Sequence, residues 1–238
     1  MSKYHTLTFN DISLLDYQCF YDYSQAYRTP TKLMDMFHIE GRNGDLSISQ
    51  NSYSNITIPF NCHIRKDFNE NYYALVNDLA SVEGYGRLET SEEPDIYRLG
   101  IFDTNLEPDM WQLNHRGTFT LNFNCKPQKY LKSGEKPIYI DDSAVVLNQT
   151  KMDAKPLIEV SGTGTITIND SVLTLDTNTS ITIIDCDMQD AYEGTINRNG
   201  NLTILNGFPV LTSGENEVSV SGCTINLIPR WWRLWLKF

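Results

Sequence analysis

Apolar and polar residues alternate along most of this chain, and this period of two constrains the fold more than any other feature. Successive side chains of a β-strand point to opposite faces, so alternation is typical of strands buried on one side. Alternating runs lie at 56–60, 119–123, 166–168, 181–183, 202–204 and 218–220. Turn residues separate them, and the pair Asn199-Gly200 is of a kind that favours a tight hairpin. The chain is therefore predicted to be mainly β.

One segment, residues 69–82, follows a helical period instead. Its apolar residues recur three or four positions apart, which places them on one face of an α-helix. These residues are Tyr72, Leu75, Val76 and Leu79. Asp67 or Asn69 is expected to begin the helix and Gly84 to end it. Because Tyr73 lies off this face, we expect the helix to pack on more than one side.

A change in composition at residues 132–137 predicts a boundary between two domains. The segments before it are longer and richer in aromatic residues. Those after it are short, rich in Thr, Ile and Asn, and separated by turns, as in a β-sandwich. We expect an N-terminal domain of sheets and one helix over 1–132, a linker over 133–137, and a C-terminal sandwich over 138–238.

Charge and cysteine usage exclude several classes of protein. The net charge of −11 argues against a general nucleic-acid-binding protein, and residues 141–227 carry twelve carboxylates against three cations. No apolar run approaches the roughly 20 residues that span a bilayer, and no signal peptide is recognisable, so we expect no membrane insertion.

The cysteines are widely spaced and are expected to be buried and reduced, in a protein assembled in cytoplasm. They are Cys19, Cys62, Cys125, Cys186 and Cys223.

The sequence contains no arrangement of side chains that predicts an enzyme. The four histidines lack the spacings of metal or catalytic sites. The carboxylates of 185–190 miss the register of a calcium loop and indicate a solvated turn, and those of 92–95 indicate a hairpin tip. The glycine-rich segment 161–164 precedes a strand rather than a helix, which disfavours a phosphate-binding loop. We expect no catalytic residue, no cofactor and no metal.

The C-terminal segment carries three of the four tryptophans beside two arginines. Its candidate packing residues are Pro229, Arg230, Trp231, Trp232 and Trp235. Such a segment could anchor to a membrane surface, stack on sugars, or pack as a last strand with its arginines on indole rings or carboxylates. The third interpretation is favoured, since the segment is short and follows a proline. In a strand, Trp231 and Trp232 would point to opposite faces, one buried and one not.

Five motifs in this order resemble those of the distal tail protein (Dit) family of long, flexible-tailed bacteriophages. The first is the turn Gly41-Arg42-Asn43-Gly44-Asp45-Leu46, similar to the family's G-R-N/D-G-x-L. The others are Arg87-Leu88, then Glu93-Pro94-Asp95-x-Tyr97-Arg98, then Gly117-x-Phe119-x-Leu121-x-Phe123-x-Cys125-Lys126-Pro127, and finally Phe208-Pro209-x-Leu211-x-x-Gly214-Glu215-Asn216 with Ile228-Pro229-Arg230-Trp231. The resemblance runs nearly end to end.

The resemblance implies a fold and a role. The N-terminal domain would be a tail-tube-like β-sandwich with one flanking α-helix and an extended hairpin, and the C-terminal domain a galectin-like β-sandwich. The protein would be a non-enzymatic virion component at the tail tip, a homo-hexameric ring through which DNA passes without specific binding. Its implied partners are the tail tube and tape-measure proteins on one side and a tail-tip or tail-associated lysin protein on the other.

Two further expectations concern the hairpin and the alternative function. The long strand pair around the turn predicts that segment 33–64 carries an arm that reaches a neighbouring subunit. The interface candidates are therefore Gly41, Arg42, Asn43, Gly44 and Asp45. The alternative function is a host-surface carbohydrate-binding module that uses the galectin-like domain and its aromatic side chains.

Overall fold

Two separate hydrophobic cores divide the chain. The computed structural model describes residues 5–22, 29–111, 115–176 and 180–234, with no side-chain description at 110 and 111. The first unit runs to Lys129 and includes Leu234, and the second is Tyr130–Arg233. Most of the predicted linker, 133–137, lies in a short 3-10 turn, Lys132–Glu135. The domain bounds stay a prediction.

The described part of the chain contains one α-helix and a long series of short strands. Up to residue 125 these are β1 (Leu7–Phe9), β2 (Ile12–Ser13), β3 (Cys19–Tyr21), β4 (Lys32–Phe37), β5 (Leu46–Tyr53), β6 (Ile56–Ile64), α1 (Phe68–Ala80), β7 (Gly86–Thr90), β8 (Ile96–Asp103), β9 (Asp109–Trp111) and β10 (Arg116–Cys125). The remaining strands are β11 (Lys129–Leu131), β12 (Ile138–Ile140), β13 (Ser143–Asn148), β14 (Leu157–Ile168), β15 (Ser171–Leu175), β16 (Ile181–Asp185), β17 (Asp190–Glu193), β18 (Ile196–Asn197), β19 (Leu202–Leu205), β20 (Gly214–Ile228) and β21 (Trp232–Arg233). This confirms the prediction of a mainly β chain.

The first unit is a single antiparallel sheet that curls onto itself. Its strand order is β2-β1-β7-β8-β10-β6-β3, and β9 pairs with β10. An isolated bridge between His5 and Tyr21 joins the segment before β1 to β3, with N–H···O distances of 3.4 and 3.0 Å. Because these two segments lie towards opposite ends of the strand order, the bridge closes the sheet around its core.

Aromatic side chains fill this first core. The alternation predicted at 119–123 places Phe119, Leu121 and Phe123 inside, all at most 4% exposed. The ring of Phe123 lies 5.9 Å from that of Phe60 on the neighbouring strand β6. It also lies 5.0 Å from the ring of Phe9 on β1, which β7 and β8 separate from β10 in the strand order. The contact between Phe9 and Phe123 therefore fills the space that the curled sheet encloses.

Helix α1 packs against one face of this unit. Its buried residues are Phe68, Tyr72, Leu75 and Leu79. Gly117 of β10 gives it room, because a Cβ there would lie 2.4 Å from the ring of Phe68. Asp67 is the N-cap residue, as predicted, although its side chain makes no capping hydrogen bond. The predicted end is wrong, because the helix ends at Ala80 with Ser81 as its C-cap rather than at Gly84. Tyr73 is 63% exposed, so the helix packs on one side only.

Strands β4 and β5 form a separate two-stranded sheet. Their antiparallel register pairs Met34 with Ser49 and Phe37 with Leu46, and the connecting turn contains the motif at 41–46. Every residue from 31 to 48 is exposed. We call residues 31–54 the arm. The strand that follows it, β6, belongs to the central sheet instead, since it pairs with β10 over nine residues.

The second unit depends on two long strands, β14 and β20. They pair with each other along most of their length, with a register irregularity between Gly162 and Thr165. On one side of this irregularity the neighbours are β13, β15 and β19, and on the other they are β12, β16, β17 and β18. One hydrophobic cluster takes residues from both halves, including Val160 and Ile166 of β14. The two halves therefore enclose a common core.

Glycines at the irregularity allow the two long strands to approach closely. Gly162 and Gly222 have φ of +94° and +81°, which side chains with a Cβ rarely adopt. A Cβ at Gly164 would lie 2.1 Å from the carbonyl oxygen of Ser221. The glycine-rich segment 161–164 is thus a bend within a strand. The hairpin predicted from Asn199-Gly200 is wrong, because these residues form a 3-10 turn and the strands on either side of it pair elsewhere.

Replacing Leu79 by Asp is expected to prevent cooperative folding of the first unit. Leu79 is fully buried, and an unpaired buried carboxylate costs several kcal/mol, a large share of the roughly 5–15 kcal/mol that stabilises a domain. Tyr73→Asp on the exposed side of the same helix is the control, and we expect its melting temperature to shift by only a few degrees. Thermal melts followed by circular dichroism compare the two. A soluble Leu79→Asp protein with a wild-type melt would contradict this packing.

Candidate functional site

The arm presents large apolar side chains to solvent. Alternation along β4 and the register with β5 place Leu33, Phe37, Leu46 and Ile48 on one face, and these side chains are 37–51% exposed. Met34 and Met36 lie on the opposite face, at 46% and 59%. Exposed apolar patches of this kind mark interaction sites on soluble proteins. The arm is therefore the strongest candidate for an assembly surface in the described chain.

The five predicted interface residues lie at the tip of the arm. Gly41 and Gly44 have φ of +77° and +80°, so each occupies a backbone region in which glycine is strongly preferred. The backbone N–H of Arg42 donates to the carbonyl oxygen of Ile39 over 3.2 Å. The tip thus has a defined turn, and its side chains are exposed at the end of the two strands.

A buried ion pair holds the C-terminal segment to the second unit. The guanidinium of Arg230 donates to both carboxylate oxygens of Asp185, at 2.8 and 2.9 Å. Asp185 is 4% exposed and also accepts backbone N–H groups of Asp187 and Met188. Burial alone would raise the pKa of Asp185, but these hydrogen bonds outweigh it and hold the pKa below its ordinary value. The sequence predicted that 185–190 is a solvated turn, and this prediction is wrong for Asp185 because its side chain is buried.

Backbone contacts fix the same segment on both sides of Arg230. The backbone N–H of Arg230 donates to the carbonyl oxygen of Gly134, and the backbone N–H of Leu131 donates to the carbonyl oxygen of Trp231, both over 2.8 Å. A Cβ on Gly134 would lie 2.3 Å from the backbone nitrogen of Trp231, so only glycine fits there. The indole N–H of Trp232 donates to the carbonyl oxygen of Asp153 over 2.8 Å. The predicted pairing of an arginine with a carboxylate is confirmed.

Both described tryptophans of this segment lie in the same environment. Trp231 and Trp232 are each half-buried and pack against the core of the second unit. The expectation that one is buried and the other is not is wrong, because Arg230 has a left-handed φ of +56° and the segment is not a regular strand at this point. Pro229 is buried, and Trp235 lies outside the described residues.

In two further motifs, a polar side chain makes hydrogen bonds that hold the local structure. Glu93 lies at the hairpin tip between β7 and β8, where it accepts from Arg98 at 2.8 Å and from Lys129 at 2.9 Å. Asn216 is fully buried, and its side-chain amide bonds the backbone of Thr212 and the carbonyl oxygen of Val146. The Glu93 carboxylate and the Asn216 side-chain amide therefore both stabilise loops through hydrogen bonds.

The described residues contain buried cysteines and no candidate metal site. Their cysteines are all free and buried, as predicted, and burial raises the pKa of Cys125 and Cys186 to about 12, which keeps the thiols protonated. No group of three or more His, Cys, Asp or Glu among these residues could hold a metal ion.

A polar cleft of about 490 Å³ on the first unit is lined by residues that include Asp22, Asn61, Glu107, Asp109, Thr120 and Asn122. In the same part of the chain, no helix is long and apolar enough to cross a bilayer.

Comparisons with known proteins agree with this description. Residues 8–125 match the family model of the phage tail protein RIFT-related domain. No curated protein sequence matches the chain. The matched range extends from β1 to the end of β10, so it is the curled sheet, the helix and the arm that carry the family pattern.

Solved structures of phage proteins have the same fold over nearly the whole chain. The SPP1 Dit protein, described as a paradigm of the hub adsorption apparatus in phages that infect Gram-positive bacteria, superimposes with a TM-score of 0.72. It is 15% identical, and the match covers 94% of this chain and 97% of that one. Chains of the phage P2 baseplate in its activated conformation with Ca or Sr match with a TM-score of 0.54 at 11% identity, over 95% and 98%.

Sequence and fold together therefore identify a phage tail protein domain at residues 8–125. The predicted resemblance to the distal tail protein family is confirmed in this domain and in the fold that the chain shares with the SPP1 Dit protein.

Asp185→Asn is expected to destabilise the second unit. Removing one charge of a buried pair leaves the other without its partner, which costs roughly 3–5 kcal/mol. Because the Arg230 side chain is 28% exposed, we expect a value near the lower end, about 3 kcal/mol. Asp187→Asn is the matched control, since that carboxylate is 48% exposed and should contribute less than about 1 kcal/mol. Urea unfolding of the three proteins measures both effects.

The effect of Asp185→Asn should also depend on pH. A pKa that is lowered by folding contributes stability above the unfolded-state value, about 3.9 for aspartate, and the contribution is lost as the pH falls through the folded value. The difference in melting temperature between wild type and variant should be constant above about pH 5 and shrink below about pH 4. A difference that persists undiminished at pH 2–3 would show that the carboxylate charge is not what stabilises the segment.

Trp231→Ala and Trp232→Ala should destabilise the protein to a similar extent. Truncating a fully buried tryptophan costs about 3–5 kcal/mol, so we expect roughly 2 kcal/mol for each of these half-buried rings. Tyr139→Ala is the control, because that ring is 64% exposed. Thermal melts are combined with liposome flotation of the wild type, which should not float. Two stable variants and a floating wild type would instead support a membrane-anchoring tail.

Proposed function

We propose that this protein is a structural, non-enzymatic hub of the phage tail tip. Six copies form a closed ring that joins the tail tube to the baseplate or tail tip, and DNA passes through its centre. The fold shared with the SPP1 hub protein and with chains of the phage P2 baseplate supports this role. The tail tube and tape-measure proteins lie on one side of the ring, and a tail-tip or tail-associated lysin protein lies on the other. The ring assembles in the host cytoplasm before it enters the virion.

The arm is the observation that carries the proposal. It projects apolar side chains on both faces, and its two strands have free edges, so an isolated copy leaves both in water. A contact between an arm and a different surface of the next copy is a head-to-tail contact, and such contacts generate a ring when the rotation closes. A ring covers every arm without leaving a free end.

The charge of the chain supports passage of DNA rather than its capture. Duplex DNA carries a negative charge about every 1.7 Å of its axis, and proteins that bind it neutralise phosphates with Lys and Arg. At a net charge of −11, this protein has an excess of carboxylates. A neutral or acidic passage lets DNA slide, whereas a basic one would hold it.

The two units have different tasks in this proposal. Residues 1–132 form the ring and resemble the tail-tube fold, residues 133–137 are the linker, and residues 138–238 form a galectin-like sandwich that faces outwards. The buried Arg230–Asp185 pair keeps the C-terminal segment on that sandwich rather than free for other contacts.

Native mass of the purified protein tests the ring. Wild type should be hexameric, and deletion of residues 42–45 or Gly44→Val at the arm tip should weaken assembly while leaving the melting temperature of the monomer unchanged. Gly44 requires a positive φ that valine disfavours, so the turn is lost without touching either core. Gly200→Val, in a solvent-exposed turn of the second unit, is the control. A wild type that stays monomeric at high concentration would contradict the ring.

A glycan array probed with the full-length protein separates the hub from the alternative of a host-surface carbohydrate-binding module. A pure hub shows no glycan binding above background. Specific binding that survives in an arm-tip deletion would favour the alternative.

A further inference from the structure

Asparagine is followed by glycine three times in the chain, at Asn43-Gly44, Asn199-Gly200 and Asn206-Gly207. Such a pair is chemically labile, because the backbone nitrogen of the glycine can attack the side-chain carbonyl carbon of the asparagine and close a cyclic imide. Glycine favours the attack, since it has no Cβ to shield its nitrogen and reaches a wide range of backbone angles. Hydrogen bonds that hold the asparagine side chain oppose it. The tertiary structure therefore decides which of the three pairs reacts first.

The pair at the tip of the arm is not restrained by hydrogen bonds. Asn43 and Gly44 are both exposed, and within the described residues neither the side-chain amide of Asn43 nor the backbone N–H of Gly44 makes a hydrogen bond. A Cβ placed on Gly44 would meet no atom within 4 Å, so the space around the attacking nitrogen is open. This nitrogen can therefore approach the Asn43 side-chain carbonyl without breaking an existing hydrogen bond.

Hydrogen bonds hold the asparagine side chains of the other two pairs. The side-chain oxygen of Asn199 accepts from the backbone N–H of Ala191 over 2.7 Å, and its amide donates to the carboxylate of Asp190 over 2.6 Å. The amide of Asn206 donates to the carbonyl oxygen of Asp170 over 2.7 Å. These bonds must break before either side chain can turn towards the next backbone nitrogen. Both pairs are exposed, so exposure alone does not distinguish them from the arm tip.

We infer that Asn43 is a site of spontaneous covalent modification, which the folded protein converts to aspartate and isoaspartate faster than it converts Asn199 or Asn206. The inference goes beyond the proposed ring and does not rest on it, because the reaction takes place within one copy of the chain. It requires neither an enzyme nor a cofactor. Its reactants are the Asn43 side chain, the backbone N–H of Gly44 and water.

The reaction balances in two steps, and nothing is oxidised or reduced. First, the Gly44 nitrogen loses its proton to solvent base and bonds to the Asn43 side-chain carbonyl carbon, and the side-chain nitrogen takes up a proton and leaves as ammonia. Water then adds to one of the two carbonyl carbons of the imide, the bond from that carbon to the Gly44 nitrogen breaks, and the nitrogen is protonated. Breaking the bond to the side-chain carbon gives aspartate in the ordinary backbone. Breaking the bond to the main-chain carbon gives isoaspartate.

Either product changes the tip of the arm. Both replace a neutral amide by a carboxylate, which is ionised at neutral pH and lies two residues from Asp45. Isoaspartate also adds one atom to the backbone path between Gly41 and Gly44, whose φ values of +77° and +80° belong to the present turn. Because the turn helps to set the register of a hairpin, we expect isoaspartate to alter the tip more than aspartate does.

Peptide mapping by mass spectrometry tests the inference on the purified full-length protein. The protein is incubated in mildly alkaline buffer and digested at intervals, and each Asn-Gly peptide is scored for the gain of about 1 Da that follows replacement of NH₂ by OH. The Asn43 peptide should convert at least about fivefold faster than the Asn199 and Asn206 peptides, since these must first lose a hydrogen bond. Its rate should rise with hydroxide concentration, because the attacking nitrogen must be deprotonated. Equal rates at the three pairs, or a slower rate at Asn43, would overturn the inference.

Two controls separate the effect of the fold from that of the local sequence. In guanidinium chloride, where the protecting hydrogen bonds are absent, the three peptides should convert at similar rates. Asn43→Gln should remove the rapid conversion from the folded arm, because the longer side chain would have to close a larger ring. The wild-type arm peptide should yield two products of equal mass and different chromatographic retention, aspartate and isoaspartate. Aspartate as the sole product would show direct hydrolysis instead of attack by Gly44, and would also overturn the inference.

Discussion

Unpaired backbone groups along strand edges are the constraint on which the rest of this structure depends. A chain built of short strands must pair those groups or leave them in water, where they attract other strands. The first unit satisfies many of them by curling its sheet until His5 meets Tyr21. The second does so with two long strands, β14 and β20, that bend and serve both halves of one core. Within the described ranges, the arm is a two-stranded sheet with two free edges and two exposed faces.

The bends and closures explain why certain polar residues are buried. At the closure of the first sheet, the Tyr21 hydroxyl donates to Glu92 and His5 Nδ1 lies 2.8 Å from the other carboxylate oxygen, so this carboxylate lies where the two ends meet. In the second unit, Asp185 and Arg230 tie the last segment to the core. Each charge is paired and hydrogen-bonded, as buried charges must be. These residues therefore stabilise the fold.

A rigid scaffold with one exposed apolar arm is suited to assembly. In the proposed ring, both cores form within one chain, so the arm can add a contact between copies without rearranging either core. Among the described residues, the cysteine thiols are buried and protonated, whereas the arm leaves large apolar side chains exposed.

The sequence alone determined the features that depend on local periodicity. Alternation at 119–123 and helical spacing at 72–79 predicted the core strand and the buried face of α1, because each pattern matches a single backbone geometry. It also predicted the arm through the glycines at its tip. Only the tertiary structure decided which residues meet across the chain: the burial of Asp185 by Arg230, 45 residues later, and the similar burial of Trp231 and Trp232. Those contacts follow from how strands bend and stack, which no local pattern records.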